Sequence, residues 1–244
     1  MKRLLDIIFS LIGILIFSPL IIIFCFLIWL QDFGNPFYIS KRVGKNFEEF
    51  DLIKLRSMIL NADKSGIDST SNDDIRITKI GYIVRKYKLD ELMQLLNVFV
   101  GNMTLVGPRP NVKSEVDLYT KEEQNLLKVK PGITDFASIV FSDEGEILKN
   151  KKNPDIAYNQ LIRPGKGKLG IFYIRNRTLI IDIQIIFLTI LSIFSRKKSL
   201  IFLVRLLKKI NAPIDLINIA GRKKKLVPTP PLGSNKIVKK RLVN

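Results

Sequence analysis

The sequence predicts a small mixed α/β domain held at a membrane, and three observations predict it. An uncharged run of 24 residues, Ile7 to Leu30, opens the chain. Extended pattern between residues 34 and 58 gives way to segments with helical spacing of apolar residues. A length of 244 residues with 47% hydrophobic content suffices for one core plus a membrane-facing surface. The expected divisions are a membrane helix over 1–33, a body over 34–195, and a basic amphipathic helix with a flexible tail over 196–244.

As one straight helix, Ile7 to Leu30 would be about 36 Å long, enough to cross a hydrocarbon core of about 30 Å. Ser18-Pro19 interrupts it near the middle. Proline removes a donor and clashes with the carbonyl of Leu15, which predicts a strong kink with the Ser18 hydroxyl as partner for the freed group. Each half is then about 18 Å, too short to cross alone. Lys2 and Arg3 precede the run, and Lys41, Arg42 and Lys45 follow it; cations on both flanks favour the cytoplasm for both ends. A re-entrant hairpin and a kinked spanning helix both stay open on this physics. A cleaved signal peptide fits less well, because the apolar run exceeds a signal core and no small-x-small site follows.

Gly34 to Met58 reads as a turn and extended segments, with Lys54 and Arg56 on one strand face. Two such cations form either a solvated face or a phosphate contact. Asn61 to Asn72, rich in small polar residues, reads as a mobile loop.

Asp73 to Pro110 holds the best candidate chemistry. Asp90 and Glu91 open a segment in which Leu92, Leu95, Leu96 and Phe99 share one helical face, predicted to pack by its leucines, and Gly101 stops it. Gly107-Pro108-Arg109-Pro110 follows, with a proline on each side restricting the backbone of Arg109. Arg76, Lys79, Arg85, Lys86 and Lys88 place positive charge just upstream. Two carboxylates among cations suit a phosphate-handling site with a divalent metal; they equally suit acids complementing a helix dipole.

Further along, Glu115 to Lys128 reads as a polar helix, and Ser142 to Lys168 as a long Gly/Pro/Lys-containing connection. Leu179 to Phe194 is an apolar run of 16 residues carrying only Asp182, short for a span and read as a buried or interfacial helix. Leu200, Leu203, Val204 and Leu207 repeat at helical spacing opposite Arg205, Lys208 and Lys209, the mark of a basic interfacial helix. Beyond Asn211 the composition argues for a poorly ordered tail.

The chain has no histidine and one cysteine, Cys25. That excludes Ser-His-Asp and Cys-His catalysis, histidine or cysteine zinc sites and an internal disulfide. A catalytic group is then sought first among Asp, Glu, Lys, Tyr and Ser/Thr, and a metal among hard, oxygen-bound cations such as Mg2+. The Walker glycine pattern does not occur. The net charge is +18, and 196–244 holds 14 Lys/Arg against one acid, Asp215. Such a tail suits nucleic acid or anionic lipid headgroups.

The Asp73 to Pro110 stretch, DDIRITKIGYIVRKYKLDELMQLLNVFVGNMTLVGPRP, closely resembles the signature of the bacterial sugar transferases, the monotopic polyprenol-phosphate phosphoglycosyl transferases. It departs at Ile75 and Met93, where that family has proline, and at Asn102 and Thr104, where it has Asp and Ser. Gly34, Pro36, Arg42, Gly44, Lys54, Arg56 and Met58 are in register with a second family segment. Lys130 to Thr134 matches a third, with Asp135 replacing its glycine; Ile181-Asp182-Ile183 with Thr189 matches a fourth. The resemblance, to the small form without an extra N-terminal transmembrane domain, runs from about Lys2 to about Phe194 and stops before the basic helix.

The resemblance implies a re-entrant helix broken at Ser18-Pro19, Asp90 as covalent nucleophile and Glu91 as Mg2+ ligand. It implies phosphate or substrate contacts from Lys54, Arg56, Arg85 and Arg109. Arg163, Lys166, Arg175, Arg177 and Asp182 are implied near the nucleotide and sugar. The expected partners are a UDP-sugar, polyprenol phosphate and anionic membrane lipid, not nucleic acid. The expected place is the cytoplasmic face of a bacterial inner membrane, at the first membrane step of glycan or glycoprotein assembly. The opposed expectation is a non-catalytic basic membrane anchor, and a nucleotide-sugar hydrolase is a third.

Overall fold

The computed structural model describes residues 1–65 and 69–239. It is a mixed α/β body with one helix long and apolar enough to cross a membrane. That helix, α1 (Lys2–Asp32), leads into an antiparallel hairpin of β1 (Phe37–Val43) and β2 (Glu49–Leu55), with Phe37 opposite Leu55 and Lys41 opposite Asp51. Then come α2 (Lys79–Lys86), a 3₁₀ turn (Leu89–Met93), α3 (Gln94–Val100) and β3 (Thr104–Val106). α4 (Lys113–Val116) and a second 3₁₀ turn (Glu123–Lys128) precede β4 (Gly132–Thr134), which pairs parallel with β3. The rest is helical: α5 (Phe136–Val140), α6 (Glu144–Leu148), α7 (Pro154–Leu161), α8 (Arg163–Asn176), α9 (Leu179–Phe194), α10 (Arg196–Lys209) and α11 (Ile214–Gly221).

α1 runs through Pro19 without a break, so the two half-helices expected from the sequence are one element of 31 residues. Pro19 deprives one carbonyl, that of Leu15, of its helical donor; the Ser18 hydroxyl supplies a replacement at 2.9 Å. Both ends of α1 rest on the body. At the first turn Lys2 Nζ donates to Val106 O, Tyr173 Oη and Asp182 Oδ2 at 2.9, 3.0 and 2.7 Å. Arg3 donates to the Val98 and Phe99 carbonyls that end α3, and Asp6 accepts from Thr104 Oγ1 and Leu105 N. At the last turn Asp32 accepts from Arg56 at 2.9 and 2.6 Å, and Ile28 is buried with Leu55, Val84 and Met93. Between these anchors Leu15, Ile16, Ile22, Ile23 and Phe26 stand exposed.

α3 starts later than its leucine spacing suggests. Residues 89–93 form the tighter 3₁₀ turn, which changes the helical phase and buries Gln94, Asn97 and Val98, while Phe99 is exposed. Leu95 meets Gly13 and Leu96 joins the Ile28 cluster, so the leucine face turns to α1. Asn97 is buried because its amide accepts from Ile53 N at 3.1 Å and donates to Asp51 O at 2.6 Å, bracing β2.

The main core gathers α5, α8, α9, α10 and α11 around Phe136, Leu169, Tyr173 and Ile185. α9 keeps the bounds of its apolar run. α10 departs from the expected interfacial helix, because Leu200, Leu203, Leu206 and Leu207 lie in this core against α9. The tail also departs from expectation: α11 buries Leu216 and Ala220, and the segment beyond it hydrogen-bonds to Thr120 and Gln160 through Thr229, Leu232 and Val238. Residues 240–244 lie outside the described residues.

Two other readings change for local reasons. Glu115 to Lys128 is split because Thr120 and Glu123 exchange side-chain and backbone hydrogen bonds, a capping box that starts a new turn. The expected connection from Ser142 to Lys168 is largely helical. Asn153 caps α7 at Ile156 N with Pro154 in its first turn, and Pro164 likewise opens α8. The glycines there serve packing: a Cβ on Gly165 would lie 2.5 Å from Phe141. In the expected loop, Ala62–Ser65 forms a 3₁₀ turn and Ser69 N donates to Asp155; residues 66–68 lie outside the described residues.

Candidate active site

A cavity of about 790 Å³ opens between the β-hairpin, α2, the first 3₁₀ turn, the loop at 109–112 and the segment from α5 into α6 at 138–146. Asp90 and Glu91 reach it because Lys88 adopts a left-handed conformation (φ 55°) that ends the α2 segment and starts the turn. Lys54 arrives from β2, Arg85 from α2 and Arg109 from its proline-flanked loop; all line the same cavity.

The two acids are held in different ways. Arg109 grips Glu91 with both ends of its fork, Nη1 to Oε2 at 3.0 Å and Nη2 to Oε1 at 2.9 Å. Its Nη1 also donates to Gln94 Oε1 and to the Ile133 carbonyl. Asp90 is buried, with Lys54 Nζ at 3.6 Å and no side-chain hydrogen bond among the described residues. Burial works against ionisation of Glu91, yet Arg109 first, then Lys54 and Lys88, hold its pKa down at about 2. Burial pushes Asp90 above the ordinary carboxylate range; Lys54 opposes this and the charge of Glu91 adds to it. Burial likewise pulls the Lys54 ammonium down against the attraction of both acids. One carboxylate is therefore fixed and fully ionised, and its neighbour is more basic with lone pairs unengaged.

Arg85 and Lys88 line the cavity without a side-chain hydrogen bond or ion pair among the described residues. They are unspent positive charge beside the acid pair, as a phosphate requires. Lys166 also lines it, paired with Glu144 and stacked 5.0 Å from the Tyr158 ring.

The remaining sequence candidates go elsewhere. Arg56 borders the cavity, but its guanidinium is engaged by Asp32 and the Ile28 carbonyl. Arg163 is buried in a pair with Glu123, with further bonds to Asn159 and Leu118 O, and does not line this cavity. Asp182 is buried against Lys2 and Tyr173, away from the lining. Arg175 and Arg177 are exposed around the end of α8 and do not line it. Asp135 caps α5 at Ser138 N, a structural reason for its carboxylate. Gln94, Glu144 and Tyr158 were not singled out from the sequence. Gln94 had a signal, since it follows Glu91 by three residues, and such positions share a helical face. Glu144 falls in the 142–168 stretch that the family resemblance covers, but its pairing with Lys166, 22 positions away, left no local signal.

Among the described residues no three carboxylate, histidine or cysteine side chains converge on a metal position. Mg2+ needs only one or two protein carboxylates when substrate phosphates and water complete its shell. Glu91 gives one hydrogen bond's worth of each oxygen to Arg109, and a carboxylate oxygen has a second lone pair. The donor set fits a hard cation shared with a phosphate.

A family model described as bacterial sugar transferase matches residues 1–196. The UDP-N-acetylgalactosamine-undecaprenyl-phosphate N-acetylgalactosaminephosphotransferase of Aeromonas hydrophila is 33% identical over 199 residues, 80% of this chain and 44% of the relative. A putative undecaprenyl-phosphate N-acetylgalactosaminyl 1-phosphate transferase of Bacillus subtilis is 44% identical over 133 residues, 54% of this chain and 70% of the relative. The exopolysaccharide production protein ExoY of Sinorhizobium fredii is 31% identical over 204 residues, 78% of this chain and 83% of the relative.

Proposed function

The chain belongs to the bacterial sugar transferase family, and from that premise we propose that it moves a phosphosugar from a UDP-sugar to polyprenol phosphate, releasing UMP. The observation that carries this is the split acid pair in one cavity, with Asp90 unbonded and Glu91 locked by Arg109. An Asp90 oxygen attacks the phosphorus that bears the sugar. The bond to the bridging oxygen breaks, and UMP leaves with that oxygen and its electron pair. An oxygen of polyprenol phosphate then attacks the same phosphorus and displaces the Asp90 carboxylate, giving polyprenol diphosphate sugar. Splitting the transfer this way lets two anionic substrates react in turn.

Raised basicity makes Asp90 the better nucleophile of the two acids, and the nearby Lys54 ammonium favours its ionised form against burial. Arg85 and Lys88 offer charge to the diphosphate. Mg2+, held by Glu91 and the substrate phosphates, would supply charge neutralisation for the departing nucleotide. A non-catalytic basic anchor would give no reason to bury an acid pair in a cavity. The test is UMP release from a panel of UDP-sugars, with Mg2+ or EDTA and with or without polyprenol phosphate. Transfer that requires the lipid is expected; lipid-independent release of free sugar phosphate would point to a hydrolase.

Lys54 gives a pH test. Activity needs ionised Asp90, so turnover falls as pH drops through its pKa, whereas Glu91 at about 2 stays charged throughout. Lys54→Met removes the nearest cation, raises the Asp90 pKa further and moves the acid limb of kcat/KM to higher pH. An unmoved limb in an active variant would detach the limb from Asp90.

We also propose that α1 enters and leaves the cytoplasmic leaflet of a bacterial inner membrane, with anionic lipid beside its flanking cations. The support is that its first and last turns bond to one body, at Asp182 and at Arg56. A cysteine at position 2 should react with a membrane-impermeant thiol reagent only after the cytoplasmic side is opened; labelling from the periplasm would sink this topology.

A further inference from the structure

The cavity has a second pole, and its support comes from the far end of the chain. Ser142 to Glu146 form one stretch of its wall. At the start of that stretch Asp143 is gripped by two arginines. Arg222 donates to its two oxygens at 3.2 and 3.0 Å, and Arg196 Nη2 lies 3.0 Å from Oδ1. The same pair fixes the backbone before it: both arginines donate to the Val140 carbonyl, and Arg196 Nε donates to Ser142 Oγ at 3.1 Å. Arg222 also covers the Phe141 ring at 5.4 Å. The wall is pinned again at Asn72, whose backbone N–H donates to Gly145 O at 3.1 Å and whose amide donates to Glu146. A Cβ at Gly145 would lie 1.9 Å from Asn72 Oδ1, so a side chain there would displace the Asn72 amide from Glu146.

Arg222 follows α11 and lies beyond residue 196, where the family match ends. A basic tail serving only a membrane surface would leave its charges in water; these guanidinium groups are instead spent on one wall of the cavity. That wall differs chemically from the cationic pole around Asp90. Glu144, neutralised by Lys166, and Glu146, which accepts from Asn72, keep further lone pairs that accept hydrogen bonds from hydroxyls. The diphosphate therefore suits Arg85 and Lys88, and a hydroxyl-bearing ring suits the 142–146 wall.

We propose that Arg222, together with Arg196, is a positioning residue for donor binding: acting through Asp143, the C-terminal helices fix the wall against which a polyhydroxylated ring of the donor rests. This rests on the cavity being the donor site, as proposed above. The test uses Arg222→Gln, Arg222→Lys, Asp143→Asn and the Gln/Asn double variant in the full chain. Donor KM, polyprenol phosphate KM, kcat and thermal midpoint are measured, together with UMP and UDP-sugar binding by calorimetry.

Arg222→Gln and Asp143→Asn should each raise donor KM about tenfold, with kcat and lipid KM within about threefold, the pattern of lost ground-state binding. Arg222→Lys should recover part of the loss, and the double variant should be no worse than either single, because both break one link. Weakened UDP-sugar binding with UMP binding intact assigns the ring to the sugar; weakening of both assigns it to the ribose. An unchanged donor KM in folded Arg222→Gln would overturn the proposal. So would a joint fall in kcat, both affinities and thermal midpoint, which marks general destabilisation. Absence of transfer by the unmutated chain would instead overturn the reaction, and the calorimetric arms would still report on the wall.

Discussion

Asp90→Asn is expected to abolish transfer, with a loss on the order of 10⁴- to 10⁶-fold, the scale seen when a covalent nucleophile is removed. The amide keeps the size of the carboxylate but has no charge and no nucleophilic oxygen of comparable basicity. Unmutated enzyme incubated with UDP-sugar labelled in the sugar, Mg2+ and no lipid should yield a labelled peptide containing Asp90, discharged on adding polyprenol phosphate. Asp90→Asn should yield none. Asp90 makes no side-chain hydrogen bond among the described residues, and Glu91 remains as counter-charge to Lys54, so the variant should stay folded. Full labelling of Asp90→Asn, or transfer with no labelled enzyme at any time, would overturn the two-step mechanism.

The second large effect is on stability. The Arg163 and Glu123 side chains are only 4% and 1% exposed and share two hydrogen bonds. Arg163→Met leaves Glu123 buried without its counter-charge, which costs about 3 to 5 kcal/mol, and would lower the thermal midpoint by about 6 to 20 °C for a chain of this size. Arg163→Met/Glu123→Leu should recover part of the loss, since it removes the orphaned charge while Thr120 N loses its cap and Asn159 its partner. Scanning calorimetry in detergent checks this. An unshifted midpoint with a raised donor KM would return Arg163 to substrate binding.

Arg163 also shows where sequence reading reaches its limit. The nearness of Asp90, Glu91 and Arg109 was legible because they lie within one short stretch, and the structure brings them to one cavity with Lys54. α9 was legible because an apolar run with an acid near its start sets its own bounds. Arg163 and Asp182 were not: whether a charge meets substrate or a buried partner depends on Glu123 and Lys2, which lie 40 and 180 positions away. α10 misled for a related reason, since an apolar stripe opposite lysines suits a bilayer and a protein core equally. The helical stretch after Ser142 was hidden because glycine and proline mark loops in general, whereas here Pro154 and Pro164 start helices.

The seating of Lys2 has a consequence for assembly. Lys2 is held by Asp182 and Tyr173, which synthesis delivers last among these partners, long after α1 has left the ribosome. On the proposed topology the apolar helix therefore meets the bilayer while its own anchor does not yet exist. Contacts so distant along the chain form slowly, although the entropy of closing so long a loop grows only weakly with its length. That topology puts membrane delivery first and completion of the body second.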